Sequence, residues 1–170
     1  MKSIAYSIAT LLFVIGFYTA VPAIHETVPA ESQRPLPKAD SADLYNYIIT
    51  VSPYTRWQLW PGKEKLYKGT EPHGAFLTTY VNEPAHRAAS QKAGMPDGAI
   101  IVKENYTADK KLSAVSIMYK VRGYNPAGGD WFWGQYDPAG AVKASGKVDS
   151  CINCHQKRKD NDYIFTGPLK

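Results

Sequence analysis

The stretch SCINCHQ, residues 150–156, holds both cysteines of a 170-residue chain and one of its four histidines. Cys151 and Cys154 stand three positions apart, with His155 directly behind them. Four kinds of chemistry use such a pair. A structural disulfide is ordinary in an oxidising compartment, but it leaves the histidine without a role. A thiol–disulfide oxidoreductase carries the motif near a βαβ unit, whereas here it lies near the end of the chain. A closed zinc site needs four ligands, and the sequence has no second cysteine pair. Covalent attachment of a c-type haem has Cys-x-x-Cys-His as its signature. Each thiol then forms a thioether, and the histidine binds the iron as proximal ligand. This reading gives all three side chains work. One haem c, held by Cys151 and Cys154 with His155 on its iron, is the expected cofactor. The disulfide stays as the alternative.

The start of the chain bears on the compartment. Met1-Lys2-Ser3 carries one positive charge and precedes an apolar run from Ile4 to about Ile24. Val21-Pro22-Ala23 offers a small residue for cleavage, so residues 1–23 read as a signal peptide. An uncleaved anchor is the alternative, because about 20 apolar residues suffice to span a bilayer. Either way the rest is expected to be exported, periplasmic or otherwise, where bacterial c-type haem is attached. Residues 24–39, with Pro29, Pro35 and Pro37 and no apolar periodicity, read as a linker. Residues 40–170 suffice for one domain with one core. The net charge of +5 comes from scattered lysines with no dense basic block. That pattern argues against nucleic acid and for a solvated surface able to dock an acidic redox partner.

The elements that must position the motif are mostly strands. Alternating or β-branched runs predict strands over 74–82, 99–106, 111–123, 131–137 and 141–148, punctuated by tight turns. Helical spacing of Leu44, Tyr47, Ile48 and Val51 predicts a helix over 42–50. Asn82, Pro84 and Gly94 predict the limits of a second. A third carries the cysteines, capped by Asp149 or Ser150. The fold class is α+β, mainly β: an antiparallel sheet of about five strands with short helices and a C-terminal haem-attachment helix.

Several motifs stand in a telling order: PHGAFLTTYVN (72–82), MPDGAIIVKENY (95–106), MYKVRGYNPAGGDWFWGQYD (118–137) and SCINCH with NDYIF (161–165) after it. Through them the stretch from Trp57 to Phe165 resembles the cytochrome P-460 family and its gas-binding relatives, the beta-type cytochromes c-prime. The resemblance implies a mostly antiparallel sheet with haem on one side, one proximal histidine and an open or weakly occupied distal side. It implies binding of nitric oxide or oxidation of hydroxylamine. In the catalytic branch a lysine is joined to the haem edge and a distal carboxylate moves protons. Glu104 is the best match to that carboxylate and is the expected catalytic residue; it alternates with Ile100 and Val102. The lysine is expected on the strand before the short helix, and residues 74–85 contain none; Lys68 and Lys92 are nearest. Ordinary haem conjugation is therefore expected.

Trp131, Trp133 and Phe76 are expected to contact the haem, with plain sheet packing as the alternative. His73 and Met118 are the side chains able to fill the sixth iron position, and an open position is expected. These features leave two functions. One is haem chemistry on, or binding of, hydroxylamine or nitric oxide. The other is simple periplasmic electron transfer, in which both axial positions are usually filled. A homodimer is left open.

Overall fold

The computed structural model describes residues 35–169. The expected signal at 1–23 lies outside them, as does most of the expected linker. Among the described residues no helix is long and apolar enough to cross a membrane.

The order of elements matches the sequence pattern, with differences at the ends. Helix α1, Ser41–Asn46, starts where the Asp40 carboxylate accepts from the amides of Ala42 (2.9 Å) and Asp43 (3.1 Å). It continues as a π-helical turn, Tyr47–Val51, up to Pro53. Two strands of two residues come next, β1 (Gln58–Leu59) and β2 (Tyr67–Lys68). Then come β3 (Phe76–Val81), helix α2 (Glu83–Gln91), β4 (Ile100–Tyr106), β5 (Leu112–Lys120), β6 (Trp131–Tyr136) and β7 (Val142–Gly146). Helix α3, Asp149–His155, carries the cysteines. All pairings are antiparallel, in the order β1-β3-β4-β5-β6-β7, with β2 also on β3. The sheet thus has seven strands, not about five. The two extra ones are too short to show a period of two.

Asn82 holds a junction of three elements. Its Oδ1 accepts from the Ala85 amide at the start of α2 and from the Ile100 amide of β4. Its Nδ2 donates to the Gly98 carbonyl at 2.8 Å. Helix α2 stops at Lys92, which takes a left-handed φ of 53°, two residues before the expected Gly94. Gly98, at φ +83°, leaves room for Leu36: a Cβ there would sit 2.7 Å from the Leu36 side chain. The last residues of the expected linker therefore lie on the domain, and Tyr119 donates to the Pro37 carbonyl.

Both faces of the sheet are buried. One carries Tyr80, Ile100, Val102, Val115, Ile117 and Phe132 under Leu44, Ile48, Tyr54 and Trp57. The other carries Val81, Ile101, Met118, Trp131 and Trp133. It is covered by the alanines of α2, by Met95, Tyr163 and Ile164, and by Cys151 and Ile152 of α3. The strand registers assign every central residue to a face. Thr78, Glu104 and Val115 align across the sheet on the first, and Thr79, Lys103 and Ser116 on the second.

Candidate haem-attachment site

Val148 stands at the N-cap position of α3, and no side chain caps the helix; the expected cap from Asp149 or Ser150 is not made. Asp149 sits inside the first turn, where its charge favours the amide end of the helix. Cys151 and Cys154 are half-buried, neither in a disulfide, and His155 closes the helix with only 7% of its surface exposed. Burial pushes the Cys151 thiol up from its ordinary pKa.

The chain beyond α3 aims the histidine. It passes through a 3-10 turn, Gln156–Asn161, and then through Asp162 (φ 52°) and Tyr163 (φ 66°). Two consecutive left-handed residues that are not glycine cost backbone energy. They bring the Tyr163 carbonyl to 2.7 Å from His155 Nδ1. With Nδ1–H committed to that carbonyl, Nε2 keeps its lone pair for a metal. Burial lowers the His155 pKa, opposed by the Tyr163 carbonyl, so the neutral ring is favoured at neutral pH.

Asp162 anchors the bend. Its Oδ1 accepts from Lys120 Nζ at 2.6 Å and its Oδ2 from the Met95 amide at 2.8 Å. Its carbonyl accepts from the Trp131 indole at 3.1 Å, and the Tyr163 hydroxyl donates to the Ala127 carbonyl. The Lys120 and Asp162 side chains are only 16% and 14% exposed. Asp162→Ala leaves a largely buried ammonium without its carboxylate, held only by the Gly129 carbonyl at 2.8 Å and the Trp131 ring. We expect a loss of about 2–3 kcal/mol in denaturant unfolding, together with a shift in the absorption of the iron centre as His155 loses its support.

His155 faces two adjoining cavities, of about 250 and 210 Å³. Both are walled by His73, Lys103, Cys154, His155 and Phe165, so they are parts of one space. The first is apolar, with Ile101, Met118, Trp133, Ile164 and Cys151. The second is rimmed by Lys63, Lys68 and Lys103, with Glu71 the acid among its lining residues. Trp133 stacks edge-on to His155 with ring centres 4.7 Å apart, and Phe165 does so at 5.2 Å. The Trp133 indole N–H is buried and makes no hydrogen bond among the described residues. An orphaned buried donor costs free energy unless a further group meets it.

The residues fit a haem. Apolar walls suit the macrocycle, lysines suit its two carboxylates, and an unpartnered indole N–H offers a donor. A histidine with a free Nε2 stands beside two thiols on one helix.

Not all expected site residues are here. Cys151, Cys154, His155 and Trp133 come together as expected. Trp131 shares their face of the sheet but does not line the cavity; it is fully buried and braces Asp162. Phe76 is on the opposite face, aligned with Tyr106 and covered by Lys110. Glu104 is also on the opposite face, where it accepts from Tyr54 (2.9 Å) and Tyr106 (2.6 Å). Burial and the neighbouring Glu104 push the Tyr106 hydroxyl up to about 12, so it stays a donor. The expected proton-moving role of Glu104 over a haem is thereby corrected. The carboxylate is a structural acceptor behind the sheet, and its chain neighbour Lys103 faces the cavity instead.

The strand on which a lysine is expected, β3, carries none. Lys103 comes from the next strand, opposite Thr79. Burial alone lowers its pKa from 10.5 to about 8, and no carboxylate among the described residues pairs with it. In the haem-free chain the folded state then binds fewer protons than the unfolded between about pH 8 and 10.5, so stability rises with pH across that window. Lys103→Met should remove this rise and stabilise the haem-free chain at pH 7 by on the order of 3 kcal/mol, read from denaturant midpoints.

A sheet that presents a Cys-x-x-Cys-His helix and a neutral, aimed histidine to a mostly apolar cavity defines the class as a haem protein. The chain belongs to the cytochrome P460 family, whose sequence model matches residues 53–166. Membership implies a haem cofactor and iron binding. Comparison with curated proteins gives no match.

Proposed function

We propose that this is an exported mono-haem c-type cytochrome that binds or transforms a small nitrogen species, nitric oxide or hydroxylamine. The observation that carries the reading is His155, with Nδ1 committed at 2.7 Å and Nε2 free, beside a cavity reached by both thiols. Cys151 and Cys154 would hold the haem through thioethers, and His155 would bind its iron. The haem supplies an iron that binds small diatomic or amine ligands and exchanges electrons.

The protein supplies the rest. Ile101, Met118 and Ile164, all buried, exclude water from the cavity wall. Trp133 offers its unpartnered N–H to a polar group of the cofactor. Lys103, in place of the expected carboxylate, is a proton-bearing group at the cavity wall whose pKa burial lowers, so it can hold charge or pass a proton there. Export from the cell, supported by the N-terminal sequence pattern, gives the compartment in which thioether attachment occurs.

Simple electron transfer is the second reading, favoured by the nearness of a second histidine, His73, to His155. Optical titration of the reduced protein with nitric oxide separates the two. A shifted Soret band at saturation is expected. A spectrum unchanged by excess nitric oxide would overturn the ligand-binding reading and leave electron transfer.

A further inference from the structure

His73 has no role in the attachment chemistry, yet the fold brings it to the centre of the site. It lies at the end of a turn closed by its own amide on the Thr70 carbonyl at 3.1 Å. Gly74 comes next with φ +112°; a Cβ there would stand 2.7 Å from the Tyr106 carbonyl. Only glycine lets the chain pass so close to the end of β4. The passage sets His73 on the wall shared by both cavities. Its ring centre is 6.1 Å from that of His155, with the planes at 83°.

That separation has a chemical reading. Two imidazoles that bind one metal from opposite sides, through bonds of about 2 Å each, have ring centres on the order of 6 Å apart. Their planes both contain the bond axis and are free to stand perpendicular. Imidazole is a good iron ligand in its neutral form. Among the described residues His73 has no carboxylate partner that would hold it protonated. Both cavities are lined by His73 and by His155, so the pair borders the space in which the macrocycle would lie. Met118, the other ligand available by chemistry, packs in the core cluster with Ile101 and Trp133.

We propose that His73 fills the sixth iron position of the resting protein and that a small ligand must displace it. The inference rests on the haem reading above and deepens it: the distal side is gated by an imidazole carried on the turn before β3. Binding is a ligand exchange in which the His73 nitrogen leaves the iron as the new ligand enters, with no net electron transfer. The apparent affinity is then reduced by the fraction of protein in which His73 has let go.

The test uses the intact haem-loaded protein, His73→Ala and Met118→Leu, each examined by electron paramagnetic resonance and optical spectra of the ferric form. Wild type and Met118→Leu should be low-spin, and His73→Ala high-spin. Added imidazole should return His73→Ala to low spin, which a merely misfolded variant would not do. Nitric oxide should bind ferrous His73→Ala faster than wild type by on the order of tenfold or more. A high-spin ferric wild type, or a low-spin His73→Ala without added imidazole, overturns the proposal while leaving the haem reading intact. Wild-type protein that carries no haem at all would defeat that reading first, and this inference with it.

Discussion

Replacing Cys151 and Cys154 together with serine should produce a polypeptide from which all haem is removed by acid–organic extraction. Serine keeps the size and the helix but forms no thioether. The apolar walls of Ile101, Met118 and Ile164 remain, so some haem still enters the cavity. It is then held by axial ligation and packing without a covalent link, as in a b-type protein. The single change Cys154→Ser should leave one thioether and a red-shifted absorption band, because one vinyl group stays conjugated. Extraction of wild-type and variant proteins side by side, read by the absorbance of the organic layer, checks both outcomes.

The second large effect belongs to His155. His155→Ala removes the nitrogen aimed at the iron and leaves the Tyr163 carbonyl at the end of its bend without a donor. Changes to groups that merely support a metal ligand cost about 10–100-fold in affinity or activity, so loss of the ligand itself should lower haem incorporation by on the order of tenfold or more. The fraction that matures should show a changed axial ligand field. The sharper comparison is with Asp162→Ala, which keeps the ligand and loses its brace. That variant should load haem and shift the spectrum more modestly. Equal spectra for Asp162→Ala and wild type would show that the bend is not needed to aim the ring.

How much of the site is legible in the sequence depends on how far apart the cooperating residues lie. Cys151, Cys154 and His155 are contiguous on one helix, so their chemistry is legible from spacing alone. The long strands are legible because β-branched and aromatic runs sit between strong turn signals. Glu104 is misplaced by its pattern for a specific reason. Alternation correctly groups it with Ile100 and Val102, but the sheet is buried on both faces, and alternation does not say which face meets the cofactor. Shifting the assignment by one residue exchanges Glu104 for Lys103, an acid for a base. Phe76 fails by the same parity, since it aligns with Tyr106 and not with Lys103.

Other features leave no local trace. The left-handed backbone at Asp162 and Tyr163 is carried by residues whose identity does not announce it. Only the partners 42 and 67 positions away, Lys120 and Met95, explain why Asp162 is there. Trp131 and Trp133 look equivalent in sequence. One braces the bend, and the other stacks on His155 with its N–H unpartnered.

One haem bound covalently through Cys151 and Cys154, with His155 beside it on the same helix, is the proposed state of the mature protein. The most direct measurement is the intact mass of the exported protein after denaturation in acid, with mapping of the peptide that contains SCINCHQ. The expected result is the mass of the exported chain plus one haem, with the whole increment on that peptide. A polypeptide at its bare mass, with haem free in solution or with Cys151 and Cys154 joined to each other, would contradict it.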